Sequence, residues 1–307
     1  MIRLARGPHG ATRDRREPSV PYEGGTPSAW RDLSCHAVAA SLSADNQKVT
    51  QTQIPSVLQR FDLEGRVAVV TGASTGLGEQ LARALAGMGA RVAAVARRHD
   101  RLANLVREIN GLAVGSDLLD MEQVAQVIPR VANELGPPEI LVNAAGSMFT
   151  HERAENEPLQ AIRQTLDLNL VTPFRLAQEV FPHMVKIGRG AILNVSSISG
   201  NVGIAGIPQA SYAASKLALS GLTKDLAVQW AHRAIRVNTL APGFFRSEIT
   251  DGLYAGERSR EWLRRNIPLP GEGTVDDFVG ATLWLVSDAG RYVTGQTIIV
   301  DGGWTAH

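Results

Sequence analysis

A doubly wound α/β fold, a parallel sheet covered by helices on both faces, is what the sequence predicts. Three observations carry that expectation. From Phe61 onward, short apolar runs alternate with stretches whose apolar residues recur at helical spacing. The runs are dense in valine and alanine, as expected of strands buried on both faces. The first of them leads directly into a glycine-rich turn and a helix.

Arg66–Thr71 (RVAVVT) reads as the first strand, and Gly76–Met88 as a helix with Leu77, Leu81, Leu85 and Met88 on one face. Arg91–Ala96 is a second strand and Arg101–Ile109 a second helix. Leu112–Gly115 is a short third strand, followed by a helix over Met121–Leu135. After the fourth strand, Ile140–Asn143, one long helix is expected over about Leu159–Lys186. Ala191–Val195 is the fifth strand and precedes the helix that carries Tyr212. Ile235–Leu240, a helix near Asp276–Ser287 and a last strand, Thr297–Val300, complete the alternation. No repeat of 20–50 residues is visible.

Composition narrows the class. With 44% hydrophobic and 20% charged residues, the 307-residue chain has an ordinary globular make-up. A formal charge of +1 gives no electrostatic reason for a nucleic-acid or membrane partner. The single cysteine, Cys35, excludes an internal disulfide and a multi-cysteine metal site, and it fits a reducing, cytoplasmic setting. No apolar run approaches membrane-span length, and the N-terminus lacks a signal-type core. Residues 1–60 differ from the rest, with Pro8, Pro18, Pro21, Pro27, Pro55 and scattered arginines, and read as a leader of low order. The expectation is a start codon placed too early, with the natural product beginning near Val49. Residues 61–307 then form one domain.

Two stretches carry chemistry. In Thr71-Gly72-Ala73-Ser74-Thr75-Gly76-Leu77-Gly78, the glycines permit a tight turn, close backbone approach to a ligand and close helix–strand packing. The following helix points free N–H groups at the turn, as a pyrophosphate site requires. The same residues match the G-x-S-x-G elbow of α/β-hydrolases, with Ser74 as nucleophile. That alternative needs a catalytic histidine, and His99, His183 and His232 fall at strand or helix ends.

The second stretch is Tyr212-Ala213-Ala214-Ser215-Lys216. Residues i and i+4 share a helix face, so the ammonium of Lys216 is placed beside the phenol of Tyr212. A fixed cation there favours the phenolate and brings the phenol toward a useful pKa for proton transfer.

Together the two stretches resemble the short-chain dehydrogenase/reductase family, over about Phe61 to His307. Asp117-Leu118 resembles the family's adenine-contacting pair. Asn143-Ala144-Ala145-Gly146 resembles its N-N-A-G segment, with Ala144 in place of the second asparagine. Asn169 matches the catalytic asparagine and Ser197 the catalytic serine. Pro242-Gly243, followed by Ser247, resembles the loop beside the nicotinamide, and Val300-Asp301-Gly302-Gly303 the C-terminal ending. Asn143 also reads as a strand-end cap and Asp117 as a turn residue. Ser199 lies 13 residues before Tyr212, the spacing of many relatives, but Ser197 is nearer the end of its strand and is preferred.

The resemblance implies an oxidoreductase that interconverts a secondary alcohol and a ketone, with Tyr212 as acid–base group, Ser197 bonding the carbonyl oxygen and Lys216 holding the ribose. Asn169 would hold a water that links Lys216 to solvent, and no metal is required. It points to a sugar acid, a polyol or a 3-oxoacyl compound as substrate, under a lid of Phe244–Pro270, and to a homo-tetramer. A non-catalytic dinucleotide sensor on the same fold is the alternative. Thr71, Gly72, Ser74, Gly76, Leu77, Gly78, Asn143 and Gly146 join Tyr212, Lys216, Pro242, Gly243 and Ser247 as cofactor contacts. Ala96 stands where an NAD-binding protein places an acid at the end of the second strand, and Arg97 follows it. NADP is therefore the expected cofactor, with NAD possible, and Arg98 is expected to be a solvated neighbour.

Overall fold

The computed structural model describes residues 57–246 and 250–307. The leader expected over residues 1–60 therefore lies outside the described residues up to position 56, as does Ser247.

Seven parallel strands form one sheet among the described residues: β1 (Val67–Thr71), β2 (Arg91–Ala96), β3 (Leu112–Gly115), β4 (Ile140–Asn143), β5 (Gly190–Val195), β6 (Ile235–Pro242) and β7 (Thr297–Val300). Their order is β3-β2-β1-β4-β5-β6-β7. The chain runs outward from β1 to β3, then returns to the other side of β1 with β4. This reversal leaves a crevice beyond the carboxyl ends of β1 and β4, where ligands of open α/β sheets bind. Strands β1, β4 and β5 are buried at every position, which is why their sequences run as continuous apolar stretches without alternation.

The pleat sends alternate residues to opposite faces. Ala68 and Val70 join a core with α1 (Gly76–Gly87), α2 (His99–Ile109) and the C-terminal helix Val279–Val286. Val67 and Val69 join a second core with α3 (Met121–Glu134), α5 (Thr172–Ile187) and α6 (Ala210–Trp230).

The long helix expected over Leu159–Lys186 is divided. It consists of α4 (Leu159–Leu166), a π-helical turn at Asp167–Val171, and α5. An unbroken α-helix would need the N–H of residue 173 to bond the carbonyl of Asn169, and residue 173 is proline. The expected helix near Asp276–Ser287 likewise begins as a 3-10 turn, Val275–Phe278, closed by a capping box between Thr274 and Asp277. Two short helices, α7 (Asp251–Ala255) and α8 (Glu257–Asn266), follow β6.

Candidate active site

The carboxyl ends of β1, β4, β5 and β6 open into one cleft of about 900 Å³. At its floor the glycine-rich turn packs directly against the loop after β4. Gly72 has φ +70°, and a Cβ on it would lie 2.8 Å from the Ala145 backbone. Thr71 Oγ1 accepts the Ala145 N–H at 3.1 Å, which fastens the two strand ends together. The N-terminus of α1 faces the cleft, with Thr75, Gly76, Leu77 and Gly78 in its wall. These features fit a dinucleotide: a backbone cradle without side chains and a helix N-terminus for its phosphates.

At one end of the cleft stand Ala96, Arg97 and Arg98 from β2 and Asp117 and Leu118 from the loop after β3. Arg98, expected to be solvated, is exposed and also reaches Ser74 Oγ through Nε at 3.1 Å and Nη2 at 3.0 Å. Ser74 thus bonds a guanidinium, and among the described residues no histidine is bonded to it. Asp117 does serve as a turn residue, its carboxylate accepting the Leu119 N–H at 3.1 Å, and it lines the cleft as well.

At the other end stand Ser197, Tyr212 and Lys216. Tyr212 and Lys216 project from the first turns of α6, with the ammonium 5.6 Å from the centre of the phenol ring. Lys216 is buried, and its Nζ donates to the Val195 carbonyl at 2.9 Å. Ser197, just beyond β5, is the serine near enough to Tyr212 to act on its phenol. Ser199 instead donates to Gln209 Oε1 at 3.2 Å.

Burial raises the Tyr212 phenol above its ordinary value, and the Ser197 hydrogen bond opposes that rise. Burial also pushes Lys216 down to about 8. The expectation that Lys216 lowers the phenol pKa is therefore corrected for the cleft as it stands: burial sets the rise, and the ammonium is engaged by Val195.

Asn169, fully buried in the π-helical turn, binds the loop after β4 at both ends of its amide. Oδ1 accepts the Ser147 N–H at 3.0 Å, and Nδ2 donates to the Ser147 carbonyl and to Ser215 Oγ, each at 3.0 Å. Its side chain thus fixes two walls of the site to each other. Gly146 lies between Asn169 and Lys216: a Cβ there would be 2.9 Å from Lys216 Nζ and 3.2 Å from Asn169 Oδ1.

A family profile described as enoyl-(acyl carrier protein) reductase matches residues 72–305. The gluconate 5-dehydrogenase of Gluconobacter oxydans is 36% identical over 255 residues, covering 80% of this chain and 96% of its own. The chain belongs to the short-chain dehydrogenase/reductase family. The 3-oxoacyl-[acyl-carrier-protein] reductase of Thermotoga maritima is 38% identical over 251 residues, covering 78% of this chain and 98% of its own. Among solved structures, a gluconate 5-dehydrogenase from Burkholderia cenocepacia in complex with NADP and tartrate superposes with a TM-score of 0.77 at 34% identity, covering 81% of this chain and 99% of that one.

Within this short-chain dehydrogenase/reductase, one candidate cofactor contact points elsewhere. Asn143 is buried, and its Nδ2 donates to Asn194 Oδ1 at 2.9 Å. Asn194 Nδ2 donates on to Thr223 Oγ1 at 2.9 Å, which also accepts the Thr239 hydroxyl at 2.8 Å. Asn143 therefore begins a polar seam between strands and α6 and lies outside the cleft lining. Pro242 and Gly243 line the cleft at the end of β6.

Sequence reasoning missed Glu157, which holds the start of α6 through the backbone and hydroxyl of Ser211. No motif announces that contact, because it joins a loop to a helix 54 residues away. In the segment expected as a lid, Phe244 and Phe245 line the cleft. Trp262 packs edge-on against Phe244 and tilted against Trp304, while Tyr254 is buried.

Proposed function

We propose that this enzyme interconverts a secondary alcohol and a ketone with NADP(H), using Tyr212 as the proton-transfer group. One observation carries the reading: Tyr212, Ser197 and Lys216 converge at one end of a cleft whose floor is the glycine cradle and whose far end is basic. The nicotinamide, when bound, supplies or takes up the hydride.

In reduction, the raised phenol of Tyr212 is protonated at neutral pH and gives its proton to the carbonyl oxygen. Ser197 bonds the same oxygen as negative charge develops on it. Lys216 is held against Val195 and placed to donate to the ribose. Asn169 keeps the loop carrying Gly146 and Ser147 at the distance this arrangement needs. Arg97 and Arg98 stand where a 2′-phosphate would lie, in a wall without an acid at Ala96.

The substrate range is sugar acids, polyols and 3-oxoacyl compounds. Beyond Tyr212 the wall is formed by Met148, Phe149, Ile204, Ile207, Phe244 and Phe245, with His151 and Thr250 as polar members. Within that range, this wall favours a ketone with an apolar arm. The decisive experiment is a screen of ketones, sugar acids and acyl thioesters with NADPH and NADH. Turnover of one of these classes with NADPH supports the reading. Nucleotide binding without turnover of any class would make the protein a dinucleotide sensor.

The reading extends to a cytoplasmic homo-tetramer formed through α5 and α6. Val171 at the end of the π-helical turn, Phe174 at the start of α5, and Leu217 and Val228 on α6 are apolar and exposed. Light scattering at micromolar concentration tests it, and a monomeric mass would refute it. Among the described residues no helix is long and apolar enough to cross a membrane.

A further inference from the structure

Gln209 occupies the N-cap of α6, a position that favours short side chains able to bond the first-turn N–H groups. Its side chain makes no such bond, and Glu157 meets the Ser211 N–H in its place, at 3.3 Å. The amide turns instead to Ser199, accepting its hydroxyl on Oε1 at 3.2 Å.

The chain of contacts beyond Gln209 has a forced direction. An amide oxygen only accepts, so the single proton of Ser199 is committed to Gln209. Ser199 Oγ, 3.2 Å from Ser197 Oγ, must then accept the Ser197 proton. The Ser199 N–H also donates to Ser197 Oγ at 3.2 Å. Ser197 is left to accept from Tyr212. Every hydroxyl proton therefore points from Tyr212 toward Gln209, the order that suits a protonated phenol; the Ser197 contribution that opposes the phenol's rise needs the reverse order, with Ser197 donating.

Alcohol oxidation requires the opposite. A phenolate at Tyr212 needs Ser197 to donate to it. With the order unchanged at Ser199, the two serine oxygens would then face each other without a proton between them. Reversal is complete only if Ser199 donates to Ser197 and Gln209 donates to Ser199. Gln209 Nε2 makes no bond among the described residues, and its terminal torsion is soft and roughly two-fold, so a half-turn presents Nε2 where Oε1 stood.

We propose that the Gln209 amide, acting through Ser199, is a positioning residue that reverses the hydrogen bonds converging on Tyr212 as the phenol loses and regains its proton. This rests on the reading of Tyr212 as the acid–base group. Of the ionisable groups near Tyr212, Lys216 is bonded to Val195, Glu157 to Ser211, and His151 lines the same cleft. Arg163 on α4 and Asp167 in the π-helical turn belong to elements packed on α6 but lie outside the cleft lining. None of these is bonded to Gln209 or Ser199 among the described residues.

The test is a tyrosinate absorbance titration of the full chain without substrate or cofactor. Subtracting the matching Tyr212→Phe protein isolates Tyr212 from Tyr22, Tyr254 and Tyr292. Gln209→Glu supplies a side chain of the same length that accepts but cannot donate at high pH. It is expected to move the Tyr212 titration up by about one pH unit, the worth of one hydrogen bond. In a Ser199→Ala background, where the relay is cut, the same substitution is expected to move it little. An unmoved titration with Ser199 present would overturn the proposal. So would an equal shift with and without Ser199, since the introduced charge would then act directly through space. Because no turnover is measured, the outcome is readable even if Tyr212 proves not to be the acid–base group.

Discussion

Arg98 spans from the end of β2 to the glycine-rich turn and meets Ser74 Oγ with two nitrogens, Nε at 3.1 Å and Nη2 at 3.0 Å. The contact holds a guanidinium over the mouth of the cleft, beside Arg97. Replacing Arg97 by alanine is expected to weaken NADPH binding by about 1.5–3 kcal/mol, as for a lost charge-assisted bond, and NADH binding much less. Arg98→Ala is expected to act in the same sense. Fluorescence titration with each nucleotide checks both. Equal catalytic efficiency of the parent protein with NADH would remove the premise.

The two serines near Tyr212 make separable predictions. Ser197→Ala should lower turnover by about 10²–10³-fold, as for a lost donor to a developing oxyanion. Tyr212→Phe should fold, bind NADPH and lose at least ~100-fold. Ser199→Ala should keep most of the turnover, since Ser199 reaches Tyr212 only through Ser197. Steady-state rates on one substrate decide it, and a larger loss at Ser199 than at Ser197 would exchange the roles.

The fold was legible because the parallel strands are written as short apolar runs: β2, β3, β4 and β7 have the bounds that the runs suggest, although only β2 and β4 of these are largely buried. The break at Asn169 was legible in principle. Pro173 stands four residues later, and only the apolar periodicity on either side hid it. Arg98 is exposed, but its bond to Ser74 was not legible, because a side chain at the start of a helix has the same sequence signature whether it only faces solvent or also reaches back 24 residues. Asn143 shows the converse limit. The motif located it at the correct strand end, but which way an amide points depends on a partner, Asn194, on the neighbouring strand.

Gly146→Ala probes the fit between the loop after β4 and Lys216. The new methyl would stand 2.9 Å from Nζ, the far end of a flexible side chain, so the fold should survive while the ammonium shifts. Displacements of about 1 Å at such a site cost up to ~10²-fold in rate. A near-normal thermal midpoint with activity down at least about tenfold is expected. Unchanged activity would show that the Lys216 position is not limiting.

Lys216 also predicts how stability depends on pH. Its folded pKa, about 8, lies below the ordinary 10.5 because burial disfavours the cation. Between those two values the unfolded chain binds more protons than the folded one, so this group's contribution to stability rises with pH. Below about pH 8 the lysine is charged in both states and its destabilisation is constant. Lys216→Met removes the titration. The parent should therefore gain thermal midpoint relative to Lys216→Met as the pH rises from 8 to 10, in cofactor-free protein. Above about pH 10.5 the gain should stop, because the lysine of the unfolded chain is then neutral as well. Parallel melting curves of the two proteins across pH 7–10 would contradict the assignment of a buried, desolvated ammonium at this position.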